Sequence, residues 1–207
     1  SLKLENIETD SINKKYKAKV TEENRNLKLI KNPQGLIDKA VSLLTSKSFI
    51  NRVLALADLT GRRVAEIGCT AEFIPFSGNI VVFKGQLKTK GKECEDYKIP
   101  LLSKTESILS CLKSLRLDMP QYINNPTTFH SNCSKELSLR VKKHFSEFVE
   151  GDITAKDLRA IYATIACFKY KKDDRKSDQC YYAEILGHSE NDLNTCNSYF
   201  DYQRLKA

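Results

Sequence analysis

Apolar positions in this chain recur with a helical period along most of its length and switch to a strand period in one stretch only. Leu36, Ile37, Ala40, Val41, Leu43 and Leu44 fall three and four apart, which predicts a helix from Gln34 that Ser46-Lys47-Ser48 ends. Phe49, Val53, Leu54 and Leu56 open a second helix, Thr60-Gly61 forms a turn or cap, and Arg62–Ile67 begins a third, short helix. The period then changes. Glu72–Phe76, Asn79–Leu87 and Tyr97–Pro100 are rich in Ile, Val and Phe and are separated by Ser77-Gly78 and Lys90-Gly91, predicting three antiparallel strands. A helix is expected over Ser103–Leu117, where Ser103 and Glu106 have capping-box spacing. Met119–Phe129, with prolines at 120 and 126, reads as irregular. Further helices are expected over Ser134–Glu150, with Leu137, Val141, Phe145 and Phe148 on one stripe, and over Ala155–Tyr170, capped by Asp152 or Thr154. Two more follow over Gln179–Leu186, stopped by Gly187, and about Asp192–Tyr202. The fold class is therefore mainly α with a small three-stranded antiparallel β-sheet. Residues 1–33 are polar and weakly periodic and read as a linker or N-terminal extension, leaving 34–207 as one domain.

Composition narrows the function classes. The 207 residues are 41% hydrophobic and 29% charged, which suits a globular protein with a real core. No stretch approaches the roughly 20 apolar residues of a membrane span, and the first residues lack the apolar core of a signal peptide. The chain begins with Ser rather than Met, so it is expected to be a fragment of a longer protein. Lys and Arg exceed Asp and Glu by 34 to 26, a net charge of +8 that suits a polyanionic partner. The seven cysteines form no CxxC pair, so zinc-ribbon spacing is absent and no metal site is expected. They read as reduced thiols of an intracellular protein, used as small buried hydrophobes.

Four separated features carry candidate chemistry. Leu59-Thr60-Gly61-Arg62-Arg63-Val64-Ala65-Glu66-Ile67 places Arg63 at the start of a short helix, where its planar fork can grip a phosphate. By itself, an Arg-xx-Glu pair is as well read as a surface ion pair. Gly85-Gln86-Leu87-Lys88-Thr89-Lys90-Gly91-Lys92 puts three lysines on the hairpin tip. Thr154-Ala155-Lys156-Asp157-Leu158-Arg159 delivers two cations to a helix N-terminus, an end that already favours anions. Ile185-Leu186-Gly187-His188-Ser189 is followed by Asn197-Ser198-Tyr199.

The order Arg…Lys…Lys-xx-Arg…Leu-Gly-His…Tyr, over most of residues 35–202, resembles the catalytic domain of the tyrosine recombinases and integrases. That superfamily usually has His-xx-Arg where this chain has Lys156-xx-Arg159. Lysine in that slot, the long hairpin and the stretched His188-to-Tyr199 spacing are similar to the hairpin telomere resolvases, or protelomerases, most of all the spirochaetal type. The resemblance implies a DNA breakage-and-rejoining enzyme that works through a 3′-phosphotyrosyl intermediate and resolves replicated telomere junctions into closed hairpin ends.

The roles implied are Tyr199 as nucleophile, Lys88 as general acid for the leaving 5′-oxygen, and Arg63, Arg159 and His188, assisted by Lys156, as stabilisers of the phosphorane. Tyr181, Tyr182 and Tyr202 compete for the nucleophile's role. No metal or nucleotide cofactor is implied, because the covalent link conserves the bond for rejoining. The implied partner is double-stranded DNA, bound by a homodimer in the bacterial cytoplasm, at the nucleoid. Lys84, Lys90, Lys92, Arg140 and Lys143 are further candidates for phosphate contact. His130 and His144 are left without a role. Two other functions fit the same residues: a site-specific integrase or recombinase, and a DNA-binding module that keeps the fold without the chemistry.

Overall fold

The computed structural model describes residues 28–87, 95–173, 175–187 and 202–204. Strand β1 (Lys28–Ile30) leads into helices α1 (Pro33–Leu43) and α2 (Phe49–Thr60). A π-helical turn over Glu66–Thr70 then enters the sheet, β2 (Glu72–Ser77), β3 (Ile80–Lys84) and β4 (Tyr97–Pro100). The rest is helical, α3 (Thr105–Asp118), α4 (Pro126–Phe145), α5 (Asp157–Tyr170) and α6 (Asp178–Leu186), until strand β5 (Tyr202–Arg204). The sheet runs β2-β3-β4, antiparallel throughout, as the strand-period stretch predicts. Its inner face gives Phe73, Val81, Phe83 and Ile99 to the core.

Helix α2 is the axis of the fold. Its residues from Asn51 to Thr60 are all buried, so it is enclosed rather than amphipathic. It ends at Gly61, which adopts φ +67°, and a Cβ there would lie 2.1 Å from the Tyr162 ring. Both constraints require glycine. Tyr162 is held in turn by a 2.6 Å hydrogen bond from its hydroxyl to the Pro100 carbonyl.

One residue in α2 violates the rules of burial. Asp58 is wholly buried, and neither carboxyl oxygen has a hydrogen-bond partner among the described residues. Burial pushes its pKa well above the usual carboxylate range. The folded chain therefore holds a proton that the unfolded chain releases at ordinary carboxylate pH. Asp58 thereby contributes stability that is fully present in acid and is lost as pH rises past that range towards its raised pKa. Asp58→Asn is expected to raise the unfolding free energy at pH 8 by about 2 kcal/mol and to flatten its fall between pH 5 and 8. Denaturant titrations at the two pH values check this; parallel curves for both proteins would count against it.

Several elements differ from the sequence expectations. Lys28–Ile30, inside the expected linker, is a strand paired in parallel with β5, and Ile30 also bridges Val149. A final helix reaching Tyr202 is contradicted at its end, because Tyr202 begins β5 and is buried. Arg62–Ile67 gives way to the π-helical turn, which starts at Glu66. Ser103 does not cap α3; Lys104 occupies the cap position without a side-chain bond, and the Thr105 hydroxyl donates to Gly78 O at 2.9 Å. Helix α4 starts at Pro126 rather than Ser134, because Asn125 caps it and proline at the first position forfeits no helical bond. His130 therefore lies on a helix, not in a loop. Neither Asp152 nor Thr154 caps α5; Lys156 occupies the cap position without a side-chain bond, and Asp157 Oδ2 accepts from Thr154 N and Thr154 Oγ1 at 2.7 and 2.9 Å. Ser177 caps α6 through Cys180 N, so the helix starts at Asp178, one position before the expected Gln179.

Cys69, Cys111, Cys133 and Cys167 are free and buried, as expected for small hydrophobes, while Cys180 is free and exposed. Burial pushes the Cys69 and Cys111 thiols up to about 11 and Cys167 to about 12, so none is a reactive thiolate. No helix among the described residues is long and apolar enough to cross a membrane.

Candidate active site

The loop after Gly61 carries two consecutive arginines with opposite fates. Arg63 turns outward: its side chain is 24% exposed, and Nη1 pairs with Glu66 Oε1 at 2.6 Å. Arg62 turns inward and is buried to 1% exposure. The Arg63–Glu66 pair exists as its spacing suggests, but it is no surface ion pair, because Glu66 is fully buried.

Glu66 acts as a hub. Its carboxylate accepts Arg63 N at 2.9 Å and, from the hairpin, Leu87 N at 3.2 Å. Arg63 Nη1 also reaches Leu87 O at 3.4 Å. The first arginine and the backbone entering Lys88 are thus joined through one carboxylate. Burial pushes the Glu66 carboxyl up, but Arg159, Arg63 and Arg62 outweigh it and hold the group below the usual carboxylate range. Three guanidiniums around one buried carboxylate leave an excess of positive charge, a standing attraction for an anion. Arg116 from α3 supports the hub from behind, donating to Gly68 O at 2.7 Å and Ala71 O at 3.3 Å.

Arg159 lies two residues into α5 and is 4% exposed. Its Nη1 donates to Gly61 O at 2.7 Å and its Nη2 to Leu186 O at 2.6 Å. One planar fork therefore ties the first-arginine loop to the end of α6. Lys156, at the cap position of α5, is exposed. The last turn of α6 is anchored further. Gly187 takes φ +66° to end the helix, and Gln86 Nε2 reaches Gly187 O at 3.3 Å.

Lys88, Lys90, Lys92, His188 and Tyr199 lie outside the described residues. The chain positions that flank three of them are fixed. Leu87 is held by Glu66 and Arg63, and Gly187 by Gln86. Tyr202 is held by β1 and by Thr164 Oγ1, which donates to Tyr202 O at 3.4 Å. Of the other expected phosphate contacts, Lys143 is exposed on α4. Lys84 pairs with Asp96 at 3.1 Å. Arg140 pairs with Glu136 and donates to Asn51 Oδ1 at 3.2 Å, which ties α4 to α2. His144 Nε2 meets the same Asn51 oxygen at 3.2 Å, and burial pushes its pKa down. No cluster of metal-ligating side chains occurs among the described residues.

Sequence reasoning missed Arg62, Gln86, Tyr97 and Arg116. For Gln86 the nearest signal was its place in the Gly-Gln-Leu-Lys run. For Arg62 and Tyr97 it was adjacency to Arg63 and membership of an apolar strand.

A mainly helical domain with a three-stranded sheet, in which an arginine loop, a hairpin, a Lys-xx-Arg helix and the Leu186-Gly187 turn meet, defines a catalytic domain of the tyrosine recombinase kind. Comparison with known proteins is more specific. The family model "Telomere resolvase ResT/TelK catalytic domain" matches residues 26–202. The chain belongs to that family. The protelomerase of Yersinia phage PY54 is 30% identical over 156 residues, covering 67% of this chain and 25% of the relative. The protelomerase of Klebsiella oxytoca phage phiKO2 is 26% identical over 99% of this chain and 35% of the relative. The chain thus spans a quarter to a third of these curated relatives. Among solved structures, a variant of protelomerase TelA covalently complexed with substrate DNA superposes with TM-score 0.87 at 27% identity, covering 95% of this chain and 66% of that one. Another TelA variant, complexed with a DNA hairpin product, gives 0.87 at 26% identity over the same shares. Protelomerase TelK complexed with substrate DNA gives 0.82 at 25% identity, covering 97% of this chain and 42% of that one.

Proposed function

We propose that residues 34–207 are the catalytic domain of an enzyme that resolves replicated telomere junctions into covalently closed hairpin ends. The observation that carries this reading is the convergence of four distant segments on one network. Arg159 joins Gly61 to Leu186, and Glu66 joins Arg63 to Leu87. Each of these segments abuts a residue of the Arg…Lys…Arg…His series.

The chemistry follows from the residue types. The Tyr199 oxygen attacks a DNA phosphorus, and the bond from phosphorus to the 5′-oxygen breaks. Lys88 gives its proton to that leaving oxygen, and the tyrosine proton passes to Lys156 or water. Arg63, Arg159, His188 and Lys156 offset the charge that builds on the non-bridging oxygens. In the second step the 5′-hydroxyl attacks the phosphotyrosine across its own duplex end, the bond from phosphorus to the tyrosine oxygen breaks, and a hairpin closes. Two copies of the chain, one on each strand, would close both ends of the junction. An enzyme of this kind works on DNA in the cytoplasm, at the nucleoid. Lys90, Lys92 and Lys143 supply phosphate contacts. Lys84 and Arg140 would exchange Asp96 and Glu136 for phosphate, so binding weakens steeply with salt.

The test is the shape of the product. A duplex carrying a candidate replicated telomere, incubated with the protein and run under denaturing conditions, is expected to yield ends that snap back to duplex after melting. Products with exchanged flanks would instead identify a site-specific recombinase. Salt-sensitive binding with no strand cleavage would identify a DNA-binding module.

A further inference from the structure

We infer that Arg62 and Tyr97 are positioning residues for the strand-cleavage step, acting through the last turn of α6 on His188. The inference rests on the proposed function, since it assigns a target to a residue of that site. A helix leaves its last carbonyls without intrahelical partners and carries its negative dipole end there. In α6 those carbonyls are claimed in succession by other parts of the fold. Arg62 Nη2 takes Ile185 O at 2.6 Å. Arg159 Nη2 and the Tyr97 hydroxyl take Leu186 O at 2.6 and 3.2 Å. Gln86 takes Gly187 O. His188 is the next residue.

Arg62 and Tyr97 are the two members of this set that the proposed chemistry does not use and that bond each other. Arg62 Nη1 donates to the Tyr97 hydroxyl, which then donates to Leu186 O. Arg62 Nε donates to Thr60 O at 3.1 Å. The guanidinium lies over the Phe83 and Tyr97 rings, 4.8 and 5.3 Å from their centroids. The Tyr97 ring also backs Gly187, where a Cβ would lie 2.3 Å from it. A wholly buried cation beside a second one, Arg159, is a poor choice for stability alone. Burial pushes its pKa down, and Arg159 adds to the effect. An apolar residue of similar volume packs such a site at lower cost. The arrangement is accounted for by what the fork fixes: the height and rotation of the turn that ends one residue before His188 in the sequence. A misplacement of about 1 Å at a reacting group can cost a hundredfold in rate.

The test follows covalent adduct formation on a nicked telomere duplex, with ordinary substrate and with sulfur replacing the leaving 5′-oxygen. Sulfur leaves without a proton, so it restores activity lost with the general acid but not activity lost from charge stabilisation. Lys88→Ala is expected to be rescued by sulfur and His188→Ala is not; these two variants test the underlying reading. Tyr97→Phe removes one hydroxyl. It is expected to cut the adduct rate about tenfold with DNA affinity and melting midpoint close to the parent, and sulfur is expected not to restore it. Arg62→Lys, which keeps the charge but not the fork, is expected to lose more rate, also without rescue by sulfur, and to melt at a lower midpoint. A parental rate for both variants would overturn the inference, as would rescue by sulfur, which would place their action on the hairpin and Lys88. Should the parent form no adduct, or His188→Ala cleave normally, the reading of the site itself falls, and the inference with it.

Discussion

Arg159→Ala is expected to slow covalent adduct formation by about a thousandfold, the range seen when a preorganised donor to a developing oxyanion is removed. Its guanidinium is the piece that touches both the first-arginine loop and the end of α6. Removing it takes away a fixed charge, strips a donor from Gly61 O and leaves Leu186 O with the Tyr97 hydroxyl. Thermal stability should therefore fall as well, by about 2–3 kcal/mol for the buried polar groups exposed to each other without a bridge. Arg159→Lys separates the two effects. It restores a charge but not a fork, so melting is expected to recover more than the rate. Single-turnover cleavage and thermal melting of the three proteins provide the measurement, and parental cleavage by the alanine variant would remove Arg159 from the site.

Tyr199→Phe is expected to abolish the adduct altogether while leaving DNA binding intact, because none of the three competing tyrosines, Tyr181, Tyr182 and Tyr202, is suited to replace it. Tyr182 is buried, its hydroxyl is 3.2 Å from Thr164 Oγ1, and burial pushes its pKa up. Tyr181 is half-buried and its phenol is pushed up for the same reason. Tyr202 is 4% exposed, and its strand is paired with β1. A phenol that must lose its proton and approach a DNA phosphate is poorly served by any of these settings. In the sequence Tyr199 lies between Gly187, whose carbonyl Gln86 bonds, and strand β5, which pairs with β1.

What the sequence made legible was local. The strand-period stretch fixes the sheet, and the i,i+3 and i,i+4 stripes fix α1, α3, α5 and α6 to within a few residues. Proline 126 misled because the same residue breaks a helix from inside and favours one from its first position. Only the Asn125 side chain bonded to Thr128 N distinguishes the two. Strands β1 and β5 were invisible because each is three residues long and its partner lies at the other end of the chain. At the site, the family resemblance singled out Arg63 and Arg159 and the helix pattern singled out Gly187; the structure bonds Arg63 to Glu66 and Arg159 to Gly61 and Leu186. Arg62 was not singled out, because in Arg-Arg nothing local says which side chain turns inward. Glu66 was found but placed on the surface; its burial depends on Leu87 and Arg159, which are far away in sequence.

The most direct measurement identifies the residue that becomes joined to DNA. The protein is reacted with a nicked telomere duplex, digested, and the DNA-linked peptide is sequenced by mass spectrometry. A 3′-phosphoryl link on Tyr199, absent in Tyr199→Phe, is the expected result. A link on Tyr181, Tyr182 or Tyr202, or the absence of any adduct from a protein that binds the same duplex, would contradict it.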